Sequence, residues 1–165
     1  AFDESPRWSP DGKKIVWIST REGNPELYSV HADGSNIKRL TSEVAIELHP
    51  TWAPDGKKIA FTSSRTGKQK IYTINEDGSQ PKKITEGDGL DAWPVWSPNG
   101  KEIAFVSNRD GNYDIFVMNA DGSNVRNVTK HAAQDTSPAW STDGKRLAFI
   151  STRDGGSDVY ILEMK

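Results

Sequence analysis

The sequence predicts an all-β fold, a β-propeller made of four four-stranded antiparallel blades whose last blade lacks its outer strand. Three observations carry that reading. An indole recurs at Trp8, Trp52, Trp96 and Trp140, 44 residues apart at each step. Arg21, Arg65, Arg109 and Arg153 keep the same step, as do the pairs Asp33-Gly34, Asp77-Gly78 and Asp121-Gly122. Finally, apolar residues nowhere hold a helical 3.6 period over a window of ~11 residues, so helix is the poor reading. A fixed period of this length marks a unit that buries its faces against copies of itself, and four antiparallel strands repeated radially make a propeller. A parallel β-helix fits less well, because its coils are shorter and need no hairpin turns.

The first strand of each unit runs from about Asp3 to Ser9 and ends in Ser9-Pro10-Asp11-Gly12. Proline presets the first turn position and glycine accepts the left-handed one, so a tight reversal follows. Ile15-Val16-Trp17-Ile18-Ser19 is a β-branched and aromatic second strand, matched by Ile59 to Ser63, Ile103 to Ser107 and Leu147 to Ser151. A turn holding Gly23, Gly67, Gly111 or Gly155 leads to the third strand, Glu26 to Val30 and its copies. After Asp-Gly comes a short fourth strand, Ile37 to Thr41, matched by Pro81 to Thr85 and Val125 to Thr129. Strands two and three are apolar on both faces, as expected when sheets stack on neighbouring sheets.

These boundaries define a single domain over 1–165, with repeats at about 3–46, 47–90, 91–134 and 135–165. The fourth repeat stops at Ile161-Leu162-Glu163-Met164-Lys165, before any Asp-Gly turn, and the residues ahead of Trp8 are too few to supply its missing strand. Fifteen strands are expected, with an unpaired edge that tends to be covered. A tight four-blade ring would cover it, and so would a homodimer completing an eight-blade ring.

Composition narrows the function classes. With 21 basic and 23 acidic residues interspersed, a net charge of −2 leaves no footprint for nucleic acid. No apolar run approaches the ~20 residues of a membrane helix, so no membrane insertion is expected. Cysteine is absent, which removes disulfides and thiolate chemistry. The chain begins at Ala1 rather than Met, compatible with a removed leader or a larger parent.

Nothing points to catalysis. The histidines, His31, His49 and His131, occupy different blade positions, and no Gly-x-Ser-x-Gly elbow exists. Asp110-Gly111-Asn112-Tyr113-Asp114 imitates the start of a calcium loop, but Ile115 stands where that loop needs glycine, so a hairpin turn is the better reading.

One acid stands five residues before each repeated tryptophan: Asp3, Glu47, Asp91 and Asp135. The first strand of a blade lines the channel, so these carboxylates form a ring. Two readings stay open. Oxygen ligands of this kind hold calcium; alternatively Arg21, Arg65, Arg109 and Arg153, just past the neighbouring strand, pair with them and tie strands together. Two residues beyond each acid the repeats diverge into Ser5, His49, Trp93 and Ser137. Strict alternation points these the same way as the acids. Trp93 is either packed under a loop or a contact residue at the mouth. The connections Ser42 to Leu48, Glu86 to Ala92 and Lys130 to Thr136 open on the acid face and share little beyond the acid, the usual layout of a recognition surface. Trp93, Tyr113, His49 and His131 are its candidate anchors for a protein or peptide partner.

The pattern Pro-x-Trp-Ser-Pro-Asp-Gly-Lys-Lys-Ile-Ala-Phe, then Ser-x-Arg-Asp-Gly, Asp-Ile-Tyr, Asp-Gly-Ser-Asn and Leu-Thr resembles the repeats of the TolB-type β-propellers over essentially the whole chain. The resemblance implies four-stranded blades around a central channel and a bacterial or archaeal, often periplasmic or exported, setting. Six-bladed members serve as binding platforms for envelope proteins, whereas this chain shows four repeats and no separate N-terminal domain. Similar repeats also form the propeller part of prolyl-oligopeptidase-like peptidases and of some polysaccharide lyases. The expectation is therefore a non-catalytic protein-binding module, with service to a peptidase or lyase domain, or a purely structural ring-forming assembly, as the alternatives.

Overall fold

The computed structural model describes residues 1–164, and every regular element in that span is a β-strand. Four antiparallel sheets form in chain order. Blade one is β1 (Asp3–Trp8), β2 (Lys14–Ser19), β3 (Glu26–His31) and β4 (Lys38–Arg39). Blade two is β5 (Glu47–Trp52), β6 (Lys58–Thr66), β7 (Lys68–Asn75) and β8 (Lys82–Lys83). Blade three is β9 (Asp91–Trp96), β10 (Glu102–Ser107), β11 (Asp114–Asn119) and β12 (Arg126–Asn127). Blade four has β13 (Asp135–Trp140), β14 (Arg146–Ser151) and β15 (Asp158–Glu163), with no outer strand among the described residues.

The repeated turn is closed by backbone and side chain together. Gly12 N–H donates to the Ser9 carbonyl at 2.9 Å, and Ser9 Oγ receives Lys14 N–H at 2.9 Å while donating to Asp11 at 2.7 Å. Gly12 takes a φ of 69°, which glycine adopts without the clash a Cβ would meet. Outer strands are shorter than the sequence suggests, two residues each. The ladder gives way there to a side chain: Leu27, Ile71 and Ile115 donate their N–H to the hydroxyls of Thr41, Thr85 and Thr129 at 2.9 to 3.1 Å.

Blades stack face on face through apolar layers. Val16, Ile18 and Leu27 of blade one meet Ile59, Phe61, Tyr72 and Ile74 of blade two. Ala60 and Ile71 meet Ile103, Phe105, Phe116 and Met118, and Ala104, Val106, Ile115 and Val117 meet Leu147 and Phe149. Burial on both faces of β6 and β10 explains their unbroken apolar runs. The first strands β1, β5, β9 and β13 lie side by side along the inner edge.

The arrangement is an open arc: β1 packs on β5, β5 on β9 and β9 on β13, with no comparable packing from β13 back to β1. The tight four-blade ring does not form. Each blade packs only on its chain neighbours, and the faces of blades one and four do not meet.

Candidate functional site at the inner rim

Each repeat acid meets the arginine of its own blade. Arg65 Nη2 lies 3.1 Å from Glu47, Arg109 Nη2 2.7 Å from Asp91, Arg153 Nη2 3.1 Å from Asp135, and Arg21 Nη2 3.3 Å from Asp3. The register aligns them: Asp3 pairs with Ser19, Glu47 with Ser63, Asp91 with Ser107 and Asp135 with Ser151, and each arginine stands two residues past its serine. Arginine Nε then donates to that serine hydroxyl at 2.8 to 3.0 Å. The guanidinium also covers two aromatic rings of its blade, Arg65 over Phe61 and Tyr72 at 5.7 and 4.7 Å, Arg153 over Phe149 and Tyr160 at 5.3 and 4.4 Å. The serine and the aromatic pair were missed by sequence reasoning, although both keep the 44-residue step. No group of three or more acidic or histidine side chains is placed to hold a metal ion among the described residues.

Glu47, Asp91 and Asp135 are fully buried, because the preceding blade covers them. Glu47 differs from the other two in leaving one oxygen, Oε2, without a hydrogen-bond partner. Burial pushes its carboxyl up to about 7, against the opposing pull of Arg65 and Ser63, and the Glu26 carboxylate across the blade junction adds to the rise.

Beyond each acid the strand does not keep its alternation. Two residues oppose one between Glu4 and Arg7, between Leu48 and Thr51, and at the matching places in β9 and β13, a β-bulge in every blade. The residue at the bulge is left-handed: Ser5, His49, Trp93 and Ser137 have φ between 53 and 55°. Proline follows each one, at Pro6, Pro50, Pro94 and Pro138. A proline has no N–H to give the ladder, so the bulge falls where pairing would fail in any case. The expectation that these residues share the acids' direction is thereby corrected: Asp91 is shut away while Trp93 is 41% exposed.

The bulges bring His49 and Trp93 together from adjacent blades, their rings 4.8 Å apart and tilted by 34°. Beneath them Thr62 Oγ1 accepts Trp93 N–H at 3.3 Å and sits 3.3 Å from His49 Nδ1. The hydroxyl serves Nδ1 as donor or as acceptor according to the imidazole tautomer. Burial, assisted by the Arg7 charge, lowers the His49 pKa to about 4. A groove of about 250 Å³ runs along this rim, lined by Arg7, His49, Thr51, Trp93, Ser137 and the prolines. Arg7 makes no ion pair among the described residues and donates only to the Pro6 carbonyl. Thr62 and Arg7 escaped the sequence reading, yet both break their repeat: the matching residues are Ile18, Val106 and Ile150, and Thr51, Val95 and Ala139.

Tyr113 and His131 do not join this groove. Tyr113 packs on the core between blades three and four. His131 lies exposed on the connection between those blades, its carbonyl held by Asn112 at 2.8 Å and its Nδ1 by Ala133 N–H at 3.0 Å. On the opposite face a wider cleft of about 860 Å³ separates the first two Pro-Asp-Gly turns, rimmed by Lys13, Lys57 and Glu76.

Comparison with known proteins agrees with this architecture. The family model described as TolB beta propeller domain matches residues 2–92 and 84–165. The Tol-Pal system protein TolB of Syntrophus aciditrophicus is 45% identical over 38 residues, 23% of this chain and 8% of that protein. The crystal structure of TolB from Acinetobacter baumannii superposes with a TM-score of 0.88 at 29% identity, over 98% of this chain and 41% of that one. Puromycin hydrolase aligns with a TM-score of 0.82 over 98% of this chain and 27% of that one, and its 18% identity shows the fold alone. The chain thus spans less than two thirds of the length of these relatives.

Proposed function

The chain belongs to the TolB beta propeller domain family, and from that membership and the rim geometry we propose a non-catalytic scaffold that binds a protein or peptide along its inner edge. The observation that carries this reading is the His49–Trp93 stack, lifted out of the ladder by left-handed bulges and set beside an unpaired arginine. Non-glycine residues hold that conformation at a cost, and such strain gathers at recognition sites. A rigid, half-exposed indole is the kind of anchor that dominates binding energy. Arg7 suits a carboxylate on the ligand, and the neutral imidazole adds a hydrogen-bonding edge beside it.

Placement of the histidines supports a non-catalytic role over service as a hydrolase. His49 faces Thr62, His31 faces Ser35 and Asn36, and His131 faces the Ala133 amide, so none is held between a nucleophile and an acid. A periplasmic or exported setting is part of the proposal, in keeping with the resemblance of the repeats.

Selection of a displayed peptide library on the immobilised chain tests the reading. Ligands recovered should bind at least about tenfold more weakly, about 1.4 kcal/mol, to Trp93→Ala. Lys13→Ala and Lys57→Ala on the opposite face should leave them unchanged. Ligands indifferent to Trp93, His49 and Arg7 but lost with the lysines would sink the proposal.

A further inference from the structure

We propose that one proton, held between Glu26 and Glu47, closes the junction of blades one and two, and that its release frees blade one to part from blade two. The device lies in an interior junction, between two four-stranded blades, and needs no ligand to operate.

The backbone brings the two acids to one place. Glu47 N–H donates to the Pro25 carbonyl at 3.0 Å, a bond that crosses from β5 to the residue just ahead of Glu26 in blade one. Across the strands Glu26 stands opposite Ser19 and Glu47 opposite Ser63, the same level of each blade. Both acid side chains are fully buried.

Their oxygens are not equally served. Glu26 Oε1 accepts from Asn24 Nδ2 and from Arg39 Nη2, each at 3.0 Å, and its Oε2 accepts from the Thr41 hydroxyl. Glu47 Oε1 accepts from Ser63 Oγ at 3.0 Å and from Arg65 Nη2 at 3.1 Å, whereas its Oε2 has no partner. A buried acceptor without a donor is costly, and like charges in one enclosed site oppose each other's ionisation. A proton on Oε2 relieves both, turning the orphan acceptor into a donor beside the Glu26 carboxylate. Burial above all, with the Glu26 charge adding to it, holds the Glu47 carboxyl at about 7 against the pull of Arg65.

Neighbouring charges do not take the proton's place. Arg39 is shared with Glu22 and Arg65 reaches Glu43 at 3.6 Å, so four carboxylates divide two guanidiniums. The flanking acids are engaged in their own blades, Asp3 with Arg21 and Asp91 with Arg109. Arg7 and His49, further along β1 and β5, line the rim groove. At the next junction Lys70 stands where Glu26 does here, its ammonium 3.0 Å from the Asp91 oxygen that Arg109 leaves free. A proton serves at one junction as an ammonium serves at the next.

Release of the proton leaves two buried negative charges facing each other, and water reaches them only when the blades separate. Glu47 and His49 share β5, while Arg7 belongs to blade one. Parting of the blades therefore draws Arg7 away from His49 and removes one wall of the groove.

Carbon-13 titration of the side-chain carboxyls and hydrogen exchange of the Glu47 amide test the proposal on the chain and on Glu47→Gln and Glu26→Gln. No ligand is involved, so the result is independent of what the groove binds. In wild type Glu47 should titrate near neutrality. Exchange of its amide, corrected for the intrinsic effect of pH, should rise about tenfold per pH unit between 4.5 and 7 and then level off. Glu47→Gln should abolish that slope, and Glu26→Gln should move the Glu47 titration downwards. An ordinary carboxylate titration of Glu47 in wild type overturns the proposal, as does corrected exchange that ignores pH. So does a Glu47 titration indifferent to Glu26→Gln, because the proton then belongs to one acid alone. Calcium chloride that slows the exchange at neutral pH also overturns it, since a metal ion then fills the place given to the proton.

Discussion

Lys70 of β7 and Asp91 of β9 meet across the junction between blades two and three, Nζ 3.0 Å from Oδ2, with both side chains shut off from solvent. Arg109 holds the other oxygen of Asp91 at 2.7 Å, so this acid has a cation from each of two blades. The equivalent position at the junction of blades one and two is Glu26, whose carboxylate acts on Glu47 and helps to raise its pKa. One repeated position thus gives junctions of opposite electrostatic character.

Asp91→Ala is expected to destabilise the chain by about 3–5 kcal/mol, because Lys70 and Arg109 both lose the charge that offsets their burial. Asp3→Ala removes a half-exposed partner of Arg21 and should change stability by about 1 kcal/mol or less. Urea unfolding of the two variants checks the contrast; equal losses would show that burial by a preceding blade is not what gives the pair its value.

Glu47 and His49 predict opposing pH dependences. Glu47 titrates at about 7 in the fold against an ordinary 4.5, so the folded chain keeps a proton the unfolded chain has released, and stability falls as pH rises from 4.5 to 7. His49 titrates at about 4 against 6.5, so the unfolded chain binds the extra proton, and stability rises with pH from 4 to 6.5. Glu47→Gln should therefore leave the rise in melting temperature between pH 4 and 6.5 unopposed, and His49→Asn should leave the fall between pH 4.5 and 7 unopposed. Identical profiles for both variants and wild type would contradict the assignments.

Gly122 and Gly34 separate backbone strain from blade packing. Both are left-handed, at φ of 94° and 82°, so alanine at either should cost about 1–2 kcal/mol. A Cβ on Gly122 would fall 2.3 Å from the Ile84 carbonyl oxygen, while one on Gly34 meets nothing within 4 Å. Gly122→Ala should accordingly lose about 1–3 kcal/mol more than Gly34→Ala in thermal or urea unfolding.

Thr62→Val restores the β-branched apolar residue that the other repeats carry, so the fold should lose no more than about 1–2 kcal/mol, the worth of the hydroxyl's bonds. The His49 ring then loses its hydroxyl partner, and peptides selected on wild type should bind more weakly. NMR titration of His49 and a binding isotherm measure the two effects; unchanged binding with a released ring would detach Thr62 from the groove.

Much of the fold was legible because the repeat writes it four times. Glycine four residues after each tryptophan, with proline ahead of it in the first three repeats, marks the same hairpin, and β-branched runs such as Ile103 to Ser107 mark a strand buried on both sides. The acids and arginines were also readable, since a 44-residue step keeps Asp91 and Arg109 in the same relation as Asp135 and Arg153. The groove was half legible. His49 and Trp93 stood out as departures from the repeat, but strict alternation pointed them the wrong way, because a bulge precedes the proline that follows each, and that proline, repeated every 44 residues, went unread as its mark. Thr62 and Arg7 carried a similar signal and went unread, each looking like ordinary variation until the bulges placed them beneath and beside the stack.

What the sequence determined by itself was the blade: its strand order, its turns and its internal Arg–acid tie, all set by residues within one period. Tertiary structure alone decided which copy of each residue is covered. Trp8 and Trp52 occupy the same place in the same unit, and only the second has a blade in front of it. Asp3 and Asp91 differ for that reason, as do Ile161 and Val117. Burial depends on the neighbour across a junction, and a repeat unit does not encode its own neighbours.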